Sequence, residues 1–218
     1  ITFVGEDFTI NKKPVTVTPD ANQSKTYGAA DPTFTYSVSP ALVGTDSLTG
    51  ALGRVSGSDV GTYELDLGDL ANSNYTVTFS DTPVNFTINK KPVTVTPVSG
   101  QSKTYGAVDP TLAFSTLGLK SGDSLSGDLT YTGTDVGSYA ITQGTVTTAN
   151  NSNYTVTLSD TPVNFTINKL AVTVTPVSDQ LKTYGAVDPT LAYTTSPSSI
   201  SLSGDLTYTG TDVGSYAI

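Results

Sequence analysis

Two short loop motifs carry the residue types that could do chemistry in this chain. The motif K-T-Y-G-x-x-D-P-T begins at Lys25 and recurs at Lys103 and Lys182, with a Tyr four residues before an Asp each time. In the first copy, Asp31 could offer its carboxylate to a cation or ligand beside Tyr27. A lone carboxylate makes a poor calcium site, because Ca²⁺ takes about six to eight oxygens. We therefore predict a structured turn in which Tyr27 packs on a neighbouring strand.

The second motif, D-V-G-S/T-Y, also pairs one Asp with one Tyr. Its copies place the acids at Asp59, Asp135 and Asp212 and the aromatic residues at Tyr63, Tyr139 and Tyr216. An apolar residue follows two positions after each Tyr, which is similar to the tyrosine corner of immunoglobulin-like sandwiches, where the hydroxyl caps the backbone. We predict that the three Asp side chains accept hydrogen bonds from turn amides and do not bind metal.

The amino-acid composition lacks two residue types that are common in catalysis. The chain contains no His and no Cys, so the commonest general base and the strongest nucleophile are missing. Its Glu residues are Glu6 and Glu64, and its Asp residues are spread singly over turns. No phosphate loop, zinc spacing or EF-hand pattern occurs. We predict that the protein is not an enzyme, with no catalytic, cofactor-binding or metal residues and no cofactor.

The chain is built from repeats of nearly constant length. Asn11 recurs as Asn89 and Asn168, in steps of 78 and 79 residues, at the end of the same F-T-I-N sequence. A fixed period of this kind is the signature of a tandem array. The predicted boundaries are a tail of a preceding repeat at 1–11, complete repeats at 12–89 and 90–168, and an incomplete third repeat at 169–218.

Alternating apolar and polar residues predict strands throughout each repeat. Val15 and Val17 alternate with Thr at the start of the first repeat, and Tyr75, Val77 and Phe79 alternate near its end. We predict about six strands per repeat, the last two forming a closing hairpin over 75–89, and essentially no helix. The predicted fold class is all-β, with small immunoglobulin-like β-sandwich repeats arranged as an elongated rod. A β-grasp-like repeat is the alternative, but it requires a helix.

The charge and hydropathy of the chain indicate which partners and surroundings it is suited to. The net charge is −9 without a basic patch, which argues against nucleic-acid binding. No apolar run is long enough to span a membrane. A chain rich in Thr, Ser, Gly, Val, Asp and Asn and devoid of Cys suits an exposed, extracellular-type protein.

Several recurring motifs, taken together, carry a family resemblance. K-T-Y-G-x-x-D-P-T, D-S-L-S/T-G-x-L, D-V-G-S/T-Y, N-Y-T-V-T and a closing F-T-I follow one another in register more than twice. This order resembles the MBG ("mostly beta, glycine-rich") repeats of large bacterial surface proteins. The resemblance implies an extracellular stalk or adhesive array at the cell surface or in secreted form, and it brings no catalytic residues.

Two functions follow from the resemblance and the short junctions. The first is a stalk or spacer segment of a bacterial surface or filament-forming adhesin-like protein. Its partners would be neighbouring repeats of the same chain, and other copies if it forms filaments. The alternative is an adhesive module that binds a surface glycan or protein. We also expect the chain to be part of a longer tandem polymer whose closing strands come from the same chain, with strand exchange between copies as the variant.

Calcium removal gives a first test of the site predictions. Because the Asp residues are spread singly over turns, unfolding midpoints with and without a chelator should agree. A fall of about ten degrees or more in the midpoint with chelator would contradict this expectation, since it would mean that acidic loops converge on a cation.

Overall fold

The protein is built from strands and loops. The computed structural model describes residues 1–198 and 200–218, and within these ranges the regular elements are β-strands, with no helix. The predicted all-β class is therefore confirmed. The β-grasp alternative lacks, in the described residues, the helix that it requires.

The strands follow the repeats along the chain. The first repeat contains β1 (Lys13–Pro19), β2 (Ser24–Thr26), β3 (Tyr36–Ser39), β4 (Gly53–Arg54), β5 (Gly61–Asp66), β6 (Tyr75–Phe79) and β7 (Asn85–Asn89). The second contains β8 (Lys91–Pro97), β9 (Ser102–Thr104), β10 (Phe114–Leu117), β11 (Gly137–Ala140), β12 (Tyr154–Leu158) and β13 (Asn164–Asn168). The third contains β14 (Thr173–Pro176) and β15 (Tyr193–Ser196).

The first repeat holds two sheets. One has the strand order β3-β1-β6, with β1 antiparallel to β3 and parallel to β6. The other has the order β2-β7-β5-β4, with β7 parallel to β2 and antiparallel to β5. Because side chains alternate along a strand, each sheet contributes one apolar face to the core. Val17 on β1 and Phe86 on β7 are both fully buried.

The predicted closing hairpin over 75–89 is wrong. β6 and β7 follow each other along the chain, but β6 pairs with β1 in one sheet and β7 pairs with β2 and β5 in the other. The residues between them cross from one sheet to the other. The physical reason is that alternation reports which face of a strand is buried and says nothing about which strand is its partner.

The second repeat contains a sheet with the same strand pairing as the β3-β1-β6 sheet of the first repeat. β8 lies between β10, which is antiparallel to it, and β12, which is parallel to it. Val93 and Val95 on β8 are buried like their counterparts on β1. The same sequence pattern therefore gives the same parallel pairing in both repeats.

The chain divides into two compact units. The first comprises Ile1–Gln101, Pro110–Gly133 and Ser138–Thr166, and the second comprises Ser102–Asp109, Thr134–Gly137 and Ile167–Ile218. In the second unit, β14 and β15 form an antiparallel pair in which Val174 lies opposite Thr195.

The tyrosine-corner geometry is present in the first and third repeats. The Tyr63 hydroxyl donates to the carbonyl oxygen of Asp59 at 2.7 Å, and the Tyr216 hydroxyl donates to that of Asp212 at 2.8 Å. Gly57 makes room for the corner, because a Cβ there would lie 2.0 Å from Cε1 of Tyr63. The corner therefore needs a Gly two residues before the Asp, which the sequence supplies in every copy.

Removing the corner hydroxyl tests its contribution to stability. Tyr63→Phe should lower the free energy of unfolding by about 1 kcal/mol, the usual net value of one hydrogen bond. Chemical denaturation measures the change, with Tyr36→Phe as the matched control because the corner does not involve Tyr36. Equal midpoints for the two variants would show that the corner bond contributes nothing.

Candidate functional site

The K-T-Y-G loop is held at the end of the first repeat. β2 pairs in parallel with β7, and directly after β2 the backbone N–H of Tyr27 donates to the carbonyl oxygen of Asn89 at 2.8 Å. Gly28 then turns the chain with φ of +81°, a conformation that Gly adopts without the steric cost of a Cβ. This arrangement presents the Tyr27 side chain to residues of the second repeat.

Tyr27 packs on the second repeat, against Tyr154 at the start of β12. Its hydroxyl donates to Oδ2 of Asp123 at 2.9 Å, and the Tyr154 hydroxyl donates to the same oxygen. The rings of Tyr27 and Tyr154 meet edge to face, with centroids 5.5 Å apart. Both rings are buried. One carboxylate thus ties the two repeats together.

Lys120 covers this contact from one side. Its Nζ lies 5.0 Å from the ring centroid of Tyr27 and 3.7 Å from Oδ1 of Asp123. Its side chain also runs close over Gly28, where an added Cβ would come within 3.0 Å of Cδ of Lys120. The Lys side chain therefore supplies both a cation over the aromatic face and apolar contact.

A second set of hydrogen bonds joins the same two repeats. Oδ1 of Asn153 accepts from the backbone N–H of Val60 at 2.9 Å, and its Nδ2 donates to Oδ1 of Asp59 at 2.8 Å. Asp59 was predicted to accept from turn amides, but its carboxylate is bound by Asn153 across the repeats. We call the contacts of Tyr27, Asp59 and Val60 with Lys120, Asp123, Asn153 and Tyr154 the joint.

The joint changes the acidity of its members. The pKa of the Asp123 carboxyl is lowered from its ordinary value of 3.8, first by the hydrogen bond from Tyr154 and then by that from Tyr27. Burial, followed by the hydrogen bond to Asp123, raises the pKa of Tyr154 to about 12. Asp123 therefore accepts as a carboxylate, and Tyr154 stays protonated as a donor.

Asp31, the candidate ligand residue of the sequence, is occupied within its own repeat. Its Oδ2 accepts from Nε of Arg54 at 2.7 Å, and its Oδ1 lies 2.6 Å from Nζ of Lys25. The pKa of Asp31 is lowered, chiefly by the hydrogen bond from Arg54. The acid of the motif thus closes an ion pair, and the second and third repeats contain the equivalent Lys–Asp pairs.

In residues 1–198 and 200–218, no three His, Cys, Asp or Glu side chains come together as a possible metal site. The joint is instead a structural site made of single polar groups. Its tyrosines and carboxylate are bonded to each other, and the Tyr154 hydroxyl also accepts from the backbone N–H of Lys120. What the arrangement can do is hold two repeats in one relative position.

Sequence reasoning missed most of the joint. It singled out Tyr27 and Asp59 but gave no role to Lys120, Asp123, Asn153 or Tyr154. The available signal was recurrence, because Asp123 opens a D-S-L motif and Asn153 opens an N-Y-T-V-T motif that both occur in the first repeat. Recurrence marks such residues as necessary without showing what they contact.

Comparison with models of known protein families identifies the family of this chain. The model of the MBG domain, YGX type, matches residues 15–86 and 93–165. The chain belongs to the MBG domain family. Tyr27 and Gly28 supply a Tyr-Gly-x sequence in the first MBG repeat. No catalytic family is indicated.

Other comparisons add no relatives. No curated protein and no solved structure matches the chain. Across the described part of the chain, no helix has the length and apolar character needed to cross a membrane.

The acidity of Asp123 gives a test of the joint. A carboxyl whose pKa is lowered on folding stabilises the folded form fully above its unfolded pKa, near 3.8 here, and the contribution is lost as the pH falls through the lowered value. We expect the Asp123 carboxyl to titrate below 3.8, and Tyr27→Phe to raise its midpoint by removing one donor. Carboxyl ¹³C NMR measures both midpoints.

Tyr36→Phe is the control for this titration, because Tyr36 lies outside the joint. It should leave the Asp123 midpoint unchanged. If Tyr27→Phe leaves the midpoint unchanged as well, Tyr27 does not donate to Asp123 in solution.

Proposed function

We propose that the chain is a spacer segment of a bacterial surface or filament-forming adhesin-like protein. In this role tandem MBG repeats act as a stalk, and the protein has no catalytic activity. The observation that carries the proposal is the joint, because a spacer must transmit position from one repeat to the next. The MBG family and the exposed-type composition support an extracellular location, at the cell surface or in secreted form.

The covalent link between the first two repeats is very short. β7 ends at Asn89 and β8 begins at Lys91, so one residue separates strands of different repeats. The chain therefore enters the second repeat directly from a strand buried in the first. A linker this short restricts the relative orientation of the repeats, and the joint selects one orientation from those that remain.

The chemistry of the joint suits a constrained spacer. Tyr27 and Tyr154 are buried aromatic groups with few rotatable bonds, and each hydroxyl is bonded to the same carboxylate of Asp123. Asn153 adds contacts to Asp59 and Val60 on another part of the first repeat. Two separate points of attachment oppose both bending and twisting, whereas a single point would leave a pivot.

Distance measurements between spin labels test this proposal. The chain contains no Cys, so Thr76→Cys and Thr155→Cys on β6 and β12 would be its sole thiol labelling sites. We expect one narrow distance distribution. Asp123→Ala should broaden it, because both Tyr donors lose their acceptor.

Asp46→Ala is the matched control for this measurement. Asp46 accepts from the Tyr75 hydroxyl at 2.7 Å within the first repeat and takes no part in the joint. It should leave the distribution narrow. A broad distribution in the otherwise unchanged chain would overturn the spacer proposal.

The adhesive alternative makes a different prediction. A module that binds a surface glycan or protein needs exposed aromatic or polar groups. Tyr27, Tyr75 and Tyr154 are buried, whereas Tyr105 and Tyr184 are exposed and would be the residues available for such binding. A glycan array probed with this chain separates the two functions. Specific, saturable binding to one glycan class would favour the adhesive module over the spacer.

A further inference from the structure

Each repeat carries an Asp–Pro bond within its K-T-Y-G-x-x-D-P-T motif. The bonds are Asp31–Pro32, Asp109–Pro110 and Asp188–Pro189. The carboxylate of an Asp is a nucleophile that can reach its own peptide carbonyl carbon by closing a small ring. The proline nitrogen belongs to a tertiary amide, so it leaves readily once it is protonated. An Asp–Pro bond is therefore easier to break in acid than other peptide bonds.

In the second repeat a lysine touches the carboxylate of this bond. Nζ of Lys103 lies 2.5 Å from Oδ1 of Asp109. The Lys103 side chain is 14% exposed, whereas that of Asp109 is 64% exposed. Lys182 makes the same contact with Asp188 in the third repeat. An amine shielded from water is thus placed directly against an acid that faces the solvent.

A tight turn brings the two residues of the second repeat together. Lys103 lies on β9, and directly after this strand the backbone N–H of Ala107 donates to the carbonyl oxygen of Thr104 at 3.0 Å. Gly106 occupies the third position of the turn with φ of +81°, as a type II turn requires. The turn reverses the chain, so that Asp109 returns to Lys103.

We propose that Asp109–Pro110 is a self-processing site, at which mild acid exchanges the peptide bond to Pro110 for an amide bond between Asp109 and Lys103. In the first step, a carboxylate oxygen of Asp109 attacks the peptide carbonyl carbon of the same residue. The C–N bond to Pro110 breaks, and acid supplies the proton that the proline nitrogen needs to leave. The product of this step is a cyclic anhydride at Asp109.

Lys103 completes the exchange. Its Nζ attacks Cγ of the anhydride, an amide bond forms, and the C–O bond to the main-chain carboxylate breaks. The protons that the ammonium group loses match those that the proline nitrogen gains, so the exchange consumes neither water nor an oxidant. The main chain is cut after Asp109, and the new chain end is closed into a loop by the amide.

Contact between the amine and the carboxylate decides which nucleophile opens the anhydride. Well-oriented groups within one molecule react with effective molarities of about 10⁵–10⁸ M, which exceed the concentration of water by orders of magnitude. Because Lys103 already touches the carboxylate that becomes the anhydride, we expect it to react before water does.

The first repeat has the same residues, but its carboxylate is held in place. Nε of Arg54 donates to Oδ2 of Asp31 at 2.7 Å, and Nη2 donates to Oδ1 at 3.2 Å. An acid with both oxygens bonded to one guanidinium must give up these bonds before it can attack its own carbonyl carbon. Tyr131 and Tyr208 take the place of Arg54 in the other two repeats. We therefore expect Asp31–Pro32 to resist processing.

The groups around these acids also keep them ionised. The pKa of Asp188 is lowered from 3.8, first by the hydrogen bond from Lys182 and then by that from Tyr208. A carboxylate paired in this way remains a nucleophile at a pH low enough to protonate proline nitrogens. The pKa of Asp31 is lowered as well, so the bonds to Arg54, and not acidity, distinguish the first repeat.

Self-processing goes beyond the spacer role of the chain. It acts once on its own chain and is not a turnover activity. The joint contains none of the residues involved, so either inference can fail without the other. Together they describe a spacer whose second repeat is cut by acid.

Incubation of the chain at about pH 4, near the ordinary pKa of Asp, tests the proposal. We expect denaturing electrophoresis to show fragments 1–109 and 110–218, which should be absent after incubation at neutral pH. Mass spectrometry should find fragment 1–109 lighter than its sequence mass by one water, because the new amide forms without hydrolysis. In denaturant at the same pH the fragment should have its full mass, since an unfolded chain does not hold Lys103 against Asp109.

Substitutions separate the two steps. Asp109→Ala should leave the chain uncut at this position. Lys103→Met should still be cut, but fragment 1–109 should then have the full mass expected for that variant. Lys90→Met is the matched control, because Lys90 lies outside the motif, and its fragment should remain lighter by one water.

Arg54→Tyr tests the protection of the first repeat. It introduces the residue of the second repeat and should speed cutting at Asp31–Pro32 about tenfold or more, the effect of losing a hydrogen bond to a charged group. An unchanged rate would show that Arg54 does not protect this bond. An intact chain at about pH 4, or fragment 1–109 at full mass from the folded, unsubstituted chain, would overturn the proposal.

Discussion

Burial of the F-T-I strand is the interaction on which the rest of this structure depends. In the first repeat, β7 pairs with β2 on one side and β5 on the other, and its Phe86 and Ile88 are buried in the core. The same strand positions Tyr27, because the carbonyl oxygen of Asn89 accepts the Tyr27 N–H. It is also followed almost at once by β8. The core, the joint and the short connection between the two repeats therefore all depend on β7, a strand of five residues.

The carboxylates of this acidic chain serve structure. Asp31 is closed in an ion pair with Lys25 and Arg54, Asp123 accepts two tyrosine hydroxyls, and Asp59 binds the amide of Asn153. Each of these three acids has its own partners, and none of the three shares a partner with another. A net charge of −9 is compatible with this distribution, because the acids are separated and individually compensated or solvated.

The repeats keep one architecture while changing the chemistry around the core Phe. In the first repeat the cation of Arg54 lies over Phe86, and in the second the ring of Tyr131 stacks on Phe165. A guanidinium and a phenol ring are both flat groups that cover an aromatic face, so either can occupy this position. Exchanging one for the other keeps the face of the core Phe covered. The two repeats can therefore carry different residue types at this position.

The sequence by itself determined the period, the all-β class, the buried faces of the strands and the backbone turn at Gly28, because these depend on local alternation and local φ preference. It also contained the corner bond from Tyr63 to Asp59, whose two residues are four positions apart. Tertiary structure alone decided that β6 and β7 lie in different sheets, and that Tyr27 reaches Asp123, 96 residues away. Alternation specifies which side of a strand is buried, but a strand's partner depends on the packing of the whole repeat. A motif copied in every repeat likewise looks the same whether it contacts its own repeat or the next, so only the folded chain distinguishes them.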